Sequence, residues 1–200
     1  CLRQRSSGAG RSVMTRTISI VDDGSDPQGL ASPFDCEGVP KQRVTLIDHG
    51  KAAGIVYDSA YGLLYGQPST GHAGSPDDVE GPLPSHLFME AGTVRREELL
   101  QNCARGLLIP RFHYVNGLLN PREAVMTGLT REGAFLIEDG KLTAPIATMR
   151  FTESLLHAFR HVTGISRERR LVADPATDTG CAVMPTLRIA KFRFTGRSDS

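Results

Sequence analysis

The hydrophobic pattern of this chain contains the same short phrase twice. Leu46-Ile47-Asp48-His49-Gly50-Lys51 and Leu136-Ile137-Glu138-Asp139-Gly140-Lys141 each place an apolar run before an acidic turn and an extended run after the lysine. Glycine occupies the turn position that needs a positive φ, and Asp-Gly between apolar runs is a strong β-hairpin signal. Two such hairpins far apart in one chain indicate a duplicated unit or a symmetric β-rich core.

Alternation of apolar and polar positions predicts further strands. The predicted strands lie at residues 17–21, 43–47, 53–57, 87–90, 106–114, 133–148 and 186–194. Residues 66–84 are dense in Gly, Pro, Ser and Asp and predict a long loop, which in a compact domain is often functional. Residues 166–180 are polar and charged and predict a second loop.

Two helices are predicted from apolar spacing and capping residues. Thr93 caps a helix that runs to Arg105, with Gly106 in the C′ position, and Thr152 caps a second helix that Gly164 closes. The apolar faces consist of Leu99, Leu100, Cys103 and Ala104 in the first helix and of Leu155, Leu156, Phe159 and Val162 in the second. Strands outnumber helices, and the connections suit antiparallel pairing. The predicted fold class is therefore α+β, rich in β-structure, with antiparallel sheets, hairpins and two main helices.

Composition and charge limit the classes of protein that this chain can be. Two hundred residues, of which 40% are hydrophobic and 22% charged, fit one globular domain. We place it at residues 17–196, after a flexible basic segment at 1–16 and before a tail at 197–200. A net charge of +1 gives no general attraction for nucleic acid, and no apolar run approaches the length of a membrane helix. These features predict a soluble cytoplasmic protein without nucleic-acid or membrane partners.

The four cysteines form no recognisable metal or disulfide pattern. They contain no Cys-x-x-Cys pair, which favours reduced thiols. Cys181 follows Asp178-Thr179-Gly180 and is either a metal ligand or a buried small apolar residue. Because the chain begins with Cys1 rather than methionine, we expect a fragment or a misplaced start.

The loop phrase Ser69-Thr70-Gly71-His72 is the main candidate for ligand binding. Such a loop can supply a nucleophile with a nearby base, or backbone donors to a ligand. No Gly-x-Ser-x-Gly frame surrounds it, so it is not a nucleophile elbow. The residues leave open an ordinary loop and a weak substrate-binding site at Ser69, Thr70, Gly71 and His72.

Two other groups carry side chains that bind metals in many proteins. His157 and His161 have the spacing of zinc-binding helices, but Ala158 stands where a hydrolase needs glutamate. The apolar stripe also places both histidines on the opposite, solvated face. An early group of carboxylates suits acid/base chemistry, divalent-cation chemistry or turn formation, and turns are favoured. These carboxylates are Asp22, Asp23, Asp35 and Glu37.

Taken in order, several phrases resemble the C-terminal half of the TldD/PmbA family, the modulator-of-gyrase proteins regarded as metallopeptidases. No single phrase is specific, but their number and order over residues 17–196 carry the resemblance. The matching phrases are Val21-Asp22-Asp23-Gly24, Phe34-Asp35-Cys36-Glu37-Gly38-Val39-Pro40, Leu46-Ile47-Asp48-His49-Gly50, Ser69-Thr70-Gly71-His72-Ala73, Met89-Glu90-Ala91-Gly92, Glu97-Glu98-Leu99-Leu100, Arg105-Gly106-Leu107-Leu108, Thr127-Gly128-Leu129-Thr130-Arg131-Glu132-Gly133, residues 136–140 and Met184-Pro185-Thr186-Leu187-Arg188-Ile189.

The resemblance implies a β-rich half that packs on an N-terminal α/β half and pairs as a dimer around an enclosed chamber. In catalytic TldD-like subunits, zinc is held by an upstream His-Glu-x-x-x-His helix and a cysteine near the C-terminus. Unfolded peptide enters the chamber and is held as an added strand. This chain contains no His-Glu-x-x-x-His, and Cys181 stands only four residues before Pro185, which is more similar to the zinc-less PmbA-like (TldE-like) subunit.

Three hypotheses follow from this resemblance. In the first, the chain is the C-terminal domain of a PmbA-like partner in cytosolic proteolysis or peptide processing, inactive alone and without a cofactor or catalytic residue of its own. It then pairs with a TldD-like paralogue or a copy of itself, in an assembly that can hold zinc and takes unfolded peptide. In the second, it is a fragment of a catalytic TldD-like zinc metallopeptidase, with Cys181 as the third ligand. A nucleic-acid or gyrase-binding module is the third, and the near-zero charge and 6% aromatics count against it.

Overall fold

Strands dominate the computed structural model, which describes residues 9–76, 81–173 and 180–197. In chain order the elements of these residues are β1 (Ile20–Asp22), β2 (Val44–Asp48), β3 (Lys51–Ala52), α1 (Ser59–Tyr65), β4 (His86–Met89), α2 (Arg96–Gln101), β5 (Arg105–Leu108), β6 (Arg111–Asn120), β7 (Val125–Arg131), β8 (Ala134–Glu138), β9 (Lys141–Ile146), β10 (Met149–Ser154), α3 (Leu155–Arg160), β11 (Val162–Val172), β12 (Cys181–Ile189) and β13 (Phe194–Arg197). The predicted β-rich α+β class with antiparallel sheets is confirmed. None of the helices in these ranges is long and apolar enough to cross a membrane.

The chain divides into two compact units. The first unit comprises Cys1–Ala91 and Arg169–Pro185, and the second comprises Gly92–Glu168 and Thr186–Ser200. Their division falls within β11 and β12, the two long strands near the end of the chain.

The first unit is built around β1, which lies between β2 and β4. One sheet has the strand order β11-β12-β4-β1-β2-β3, in which β1 pairs antiparallel with both neighbours and β12 pairs parallel with β4. The buried apolar residues of this unit are Ile18, Ile20, Val56, Phe88, Met89, Cys181 and Val183. Because β1 is central, the polar side chain at its end lies inside the unit rather than at the surface.

The second unit contains a four-stranded sheet, β13-β10-β7-β6, and a three-stranded sheet, β5-β8-β9. Phe151 of β10 is fully buried, and its ring lies 4.6 Å from the ring of Phe112 and 5.5 Å from that of Phe192. Aromatic pairs at such separations add to the burial of apolar area. This cluster is the apolar centre of the four-stranded sheet.

The first repeated phrase forms the predicted hairpin. Asp48 of β2 faces Lys51 of β3 across His49 (φ 44°) and Gly50 (φ 75°). Positive φ at both central residues is the mark of a type I′ turn, whose twist matches that of the strands. The second arm predicted at residues 53–57 was wrong, since the strand that pairs with β2 is β3 at Lys51–Ala52 and residues 53–57 form no strand.

The second repeated phrase forms the same structure. Glu138 of β8 faces Lys141 of β9 across Asp139 (φ 47°) and Gly140 (φ 73°). A Cβ on Gly140 would overlap the carbonyl oxygen of Gln101, so the turn needs glycine for space as well as for φ. The predicted duplication of the hairpin is therefore confirmed at the level of turn geometry.

The described part of the N-terminal segment, residues 9–16, lies beside the first hairpin. The Gly10 amide donates to the Ala52 carbonyl at 2.7 Å. Residues 1–8 lie outside the described ranges, and the division of the chain into 1–16, 17–196 and a tail stays a prediction.

The first predicted helix is shorter than its pattern indicated. Helix α2 follows Arg95, which makes no side-chain cap, so the prediction that Thr93 caps it was wrong. The predicted end at Arg105 and Gly106 was also wrong, because both residues pair with β8 as part of β5. Leu99 is buried as predicted, and strand pairing decides the conformation of the residues after the helix.

The second predicted helix is also shorter. Thr152 lies in β10, and the cap of α3 is Ser154, whose hydroxyl accepts from the His157 amide at 3.2 Å. Gly164 lies within β11 and does not close the helix. The buried residue of α3 is Ala158. Of the predicted apolar stripe, Leu155, Leu156 and Phe159 are half-buried and Val162, which lies in β11, is buried. The β-branched residues that follow favour a strand, and pairing with β12 continues it.

The loop predicted at residues 166–180 was wrong for its first part, because β11 continues to Val172. Residues 174–179 of that loop lie outside the described ranges. The predicted final strand at 186–194 is two strands, β12 and β13, with a break after Ile189. The sequence patterns did not predict α1, a two-turn helix capped by the Asp58 carboxylate.

Candidate functional site

The predicted loop phrase lies in the first unit, outside its helices and strands, and is hydrogen-bonded on both sides. The Thr70 amide donates to the Tyr57 carbonyl at 3.0 Å, and the Gln42 amide donates to the Thr70 carbonyl at 3.0 Å. Gly71 has φ +73°, and a Cβ there would overlap the Pro40 carbonyl oxygen. The backbone of this loop is therefore fixed by its neighbours and requires glycine at its centre.

His72, the last residue of the phrase, is buried against Asp22. The imidazole Nε2 lies 2.9 Å from Asp22 Oδ1, and both side chains are 0% exposed. Because an ionised carboxylate can only accept hydrogen bonds, Nε2 carries a hydrogen and donates a hydrogen bond to Asp22. The His72 Nδ1 lies 2.9 Å from both the hydroxyl and the carbonyl oxygen of Thr70. The ring is held at both nitrogens inside the unit.

Asp22 joins three separate stretches of the chain. Its second carboxylate oxygen accepts from the Ser85 amide at 2.6 Å and from the His86 amide at 2.8 Å. Burial by itself would raise the pKa of Asp22, but the hydrogen bonds from His72 and from the His86 amide outweigh it and lower the pKa. The assignment of Asp22 to a turn was wrong, since it is the buried last residue of β1.

A second polar chain adjoins Asp22. The Lys41 ammonium donates to the Ser85 hydroxyl at 2.6 Å, and that hydroxyl lies 2.9 Å from His86 Nδ1. Burial, together with the nearby charge of Lys41, lowers the pKa of His86. Lys41, Ser85 and His86 were not predicted from the sequence, because Lys41 and Ser85 are 44 positions apart and no motif contains either. No buried side-chain nitrogen or oxygen of the described residues lacks a hydrogen-bond partner. The bonds to Asp22 attach His72, Ser85 and His86 to the end of β1.

The other early carboxylates form turns, as predicted. Asp35 accepts from the Glu37 amide at 3.0 Å and from the Ala73 amide at 2.9 Å. Asp23 accepts from the Ser25 amide at 3.0 Å. Short polar side chains commonly stabilise turns in this way. Asp35 therefore also fixes the residue that follows His72.

A small pocket lies directly after the loop phrase. Its volume is about 220 Å³, and Cys36, Glu37 and Asp58 line it together with residues 73–76 and Gly81. The Glu37 carboxylate accepts from the Ser59 amide at 3.1 Å, and Asp58 caps the same helix, α1. The pocket is smaller than a typical drug-sized site, so it can take no more than a side chain or a small group. The role of Ser69, Thr70, Gly71 and His72 in substrate binding stays a prediction.

Cys181 is buried at the start of β12. Its thiol is 7% exposed, accepts from the Leu30 amide at 3.1 Å and would lie 3.0 Å from a Cβ on Gly29. Within residues 9–76, 81–173 and 180–197, no three His, Cys, Asp or Glu side chains come together in a way that could hold a metal ion. A metal-ligand role for Cys181 stays a prediction.

Comparison with known families decides what kind of domain this is. The sequence model described as the PmbA/TldA metallopeptidase C-terminal domain matches residues 3–196. The chain belongs to this family. The resemblance found in the sequence phrases is therefore confirmed.

Curated relatives of this PmbA/TldD domain carry both subunit names. The chain is 31% identical over 140 residues to the metalloprotease TldD homolog of Haemophilus influenzae, covering 68% of this chain and 28% of the relative. It is 24% identical over 185 residues to the metalloprotease PmbA of Escherichia coli O157:H7, covering 90% of this chain and 37% of the relative. The chain thus spans about a third of the length of these relatives.

Solved structures confirm the fold of the PmbA/TldD domain. TldE from Thermococcus kodakarensis superposes with a TM-score of 0.79 at 23% identity, over 94% of this chain and 42% of that one. A Thermotoga maritima protein, provisionally described as a modulator of a DNA gyrase, superposes with a TM-score of 0.76 at 20% identity, over 94% of this chain and 41% of that one. At these identities the likeness establishes the fold.

Proposed function

We propose that this chain is the C-terminal domain of a PmbA-like subunit that acts in cytosolic proteolysis or peptide processing without binding the catalytic zinc. Its family is described as a metallopeptidase domain, and its curated relatives are named metalloproteases. The whole protein pairs with a TldD-like paralogue, or with a copy of itself, and the partner supplies the zinc chemistry.

The observation that carries the proposal is the environment of Cys181. Its thiol already accepts the Leu30 amide and lies beside Gly29. A zinc ligand has to be a thiolate facing an ion, with further ligands around it. No three ligating side chains come together in the described residues, so Cys181 has no partner ligands among them with which to hold a zinc ion. No step of hydrolysis is therefore assigned to this chain.

We assign the chain a part in substrate binding through its exposed sheet edge. Strand β6 is an edge strand of its sheet, and Tyr114 and Leu119 on it are exposed. An extended peptide can pair with such an edge through main-chain hydrogen bonds. In the first unit, the His72 ring is buried and cannot itself contact a peptide. The pocket beside the Ser69–His72 phrase is therefore the surface at which a peptide side chain would bind.

We assign partner contact to the exposed face of α1. Leu63 is 87% exposed and Leu64 is 70% exposed, and Tyr61 and Tyr65 of the same helix are also exposed. Adjacent large apolar side chains on a surface mark interaction sites more often than scattered ones do.

Zinc measurements on the whole protein test the proposal. The parent protein of this chain is co-expressed with a TldD-like paralogue, and the complex is assayed for zinc content and for hydrolysis of an unfolded peptide. We expect Cys181→Ser to leave both unchanged, like the matched control Cys103→Ser at a half-buried thiol outside the pocket. Loss of one zinc equivalent in Cys181→Ser, with normal zinc in Cys103→Ser and a normal circular dichroism spectrum in both, would refute it.

The alternative is that the chain is part of a catalytic TldD-like subunit. The identity of 31% with the Haemophilus influenzae TldD homolog favours this alternative. It requires a His-Glu-x-x-x-His helix in the parent protein upstream of this chain and Cys181 as the third ligand. The encoding gene decides the first requirement, and the zinc measurement on Cys181→Ser decides the second.

A further inference from the structure

Two histidines of the second unit lie side by side. His157 in α3 and His161 at its C-terminal end have ring centroids 4.4 Å apart and ring planes inclined by 48°. The spacing of four residues places both side chains on one face of the helix. Local helical structure alone therefore brings the two imidazoles together.

In both rings, Nδ1 is hydrogen-bonded to a group that can only accept hydrogen bonds. His157 Nδ1 lies 3.1 Å from the Glu153 carboxylate, and His161 Nδ1 lies 2.8 Å from the His157 carbonyl oxygen. Each Nδ1 must therefore carry a proton, and in the neutral rings both Nε2 atoms have a free lone pair. Histidines that bind metals are oriented in this way, with the second ring nitrogen donating to a carboxylate or a carbonyl.

The position of His157 is fixed by a buried carboxylate. Glu153 is 3% exposed and also accepts from the Ser154 amide at 2.8 Å and the Arg193 amide at 2.8 Å. The His157 side chain is 40% exposed, so an ion can reach it from solvent. Among the described residues, neither histidine Nε2 atom has a hydrogen-bond partner.

We propose that His157 and His161 bind a divalent transition-metal ion through their two Nε2 atoms, with water completing its coordination. Imidazole ligands suit Cu²⁺, Ni²⁺ and Zn²⁺, and the Irving–Williams series places Cu²⁺ as the tightest. Mg²⁺ and Ca²⁺ require oxygen ligands and do not bind here. This site is independent of the zinc that the family description implies, because it uses neither Cys181 nor any residue upstream of this chain.

Ion binding at this site would stabilise the end of α3. The two Nε2 atoms face one ion only when the last helical turn is formed. An ion that binds the folded state and not the unfolded state raises the midpoint of thermal unfolding. The expected consequence is a metal-dependent stability confined to transition-metal ions.

The test uses the 200-residue chain with Cys1→Ser and Cys36→Ser, so that these two thiols do not bind the probe. Ni²⁺ binding is measured by isothermal titration calorimetry. We expect one saturable site and at least a tenfold loss of affinity in each of His157→Gln and His161→Gln. The matched control is His113→Gln, an exposed histidine of the same unit, which should keep full affinity. Equal affinity in all variants, or no saturable site at millimolar Ni²⁺, would overturn the proposal.

A second measurement needs no substitution at the site and so does not depend on how the variants fold. Paramagnetic Ni²⁺ broadens proton resonances close to it, and the chain has six histidines. Selective broadening of two histidine ring signals at substoichiometric Ni²⁺, with no effect of Mg²⁺, is the expected result. Equal broadening of all the histidine signals would contradict the proposal.

Discussion

Removal of the Asp22 carboxylate should be among the most damaging single changes in the first unit. Asp22→Ala leaves the His72 Nε2–H and the amides of Ser85 and His86 without acceptors in a buried site. A buried donor left without a partner costs about 1–3 kcal/mol, so three such donors cost at least about 3 kcal/mol. We therefore expect the free energy of unfolding to fall by about 3–5 kcal/mol, against a typical total of about 5–15 kcal/mol.

Urea denaturation followed by far-UV circular dichroism measures this loss, because the chain has no tryptophan. The matched control is Asp48→Ala, which removes a carboxylate whose side chain is 64% exposed. We expect the control to change the free energy of unfolding by no more than about 0.5 kcal/mol, as is usual for surface positions. A loss in Asp22→Ala as small as that of the control would show that the buried pair does not stabilise the fold.

The isosteric change Asp22→Asn separates hydrogen bonding from charge. The amide oxygen can still accept from the Ser85 and His86 amides, while the amide nitrogen faces His72 Nε2. His72 then has to move its proton to Nδ1, where the Thr70 carbonyl oxygen accepts it at 2.9 Å. We expect Asp22→Asn to lose less stability than Asp22→Ala. If it loses more, the tautomer argument is wrong.

Three further predictions concern the same unit. Burial lowers the pKa of His86 in the folded protein below 6.5. Unfolding therefore takes up a proton, and the free energy of unfolding falls as the pH drops from about 6.5 through the folded pKa. Urea titrations at a series of pH values should show a smaller fall in His86→Gln, and an equal fall contradicts the assignment of this pH dependence to His86. Gly71→Ala should lower the free energy of unfolding, measured by denaturation, by at least about 2 kcal/mol, because Gly71 has a positive φ and an added Cβ would overlap Pro40. Gly38→Ala should lower it by about 1 kcal/mol, because Gly38 has a positive φ but nothing within 4 Å of an added Cβ. Similar losses in the two variants would rule out the overlap. Leu63→Asp should leave thermal stability unchanged but weaken association with a TldD-like partner in size-exclusion chromatography, and undiminished association would remove α1 from the interface.

The hairpins could be predicted from the sequence because their signals are local. Asp139-Gly140 supplies two adjacent residues that tolerate positive φ, and the apolar runs beside it alternate with period two. The same local logic located β4 to within one residue, since the strand predicted at 87–90 is His86–Met89.

The helix ends could not be predicted because distant strands decide them. Arg105 continues a helical pattern, yet it pairs with Glu138, which lies 33 positions later. Val162 completes an apolar helical stripe, yet it begins β11. Intrinsic helix preference amounts to tenths of a kcal/mol per residue, and pairing within a sheet outweighs it.

The polar cluster of Asp22, Lys41, His72, Ser85 and His86 could not be predicted from local sequence patterns for the same reason. Asp22 and His72 are 50 positions apart, and Lys41 and Ser85 are 44 apart. The phrases that contain Asp22 and His72 did identify the family, because their order along the chain is informative even when their contacts are unknown. The individual roles of these residues required the geometry.

One carboxylate binds both ends of the loop that carries the pocket. Asp22 accepts from His72 at the start of residues 73–84 and from Ser85 at their end. The length and composition of that stretch can therefore change without displacing a strand, and doubling its length would cost only about 0.6 kcal/mol in closure entropy.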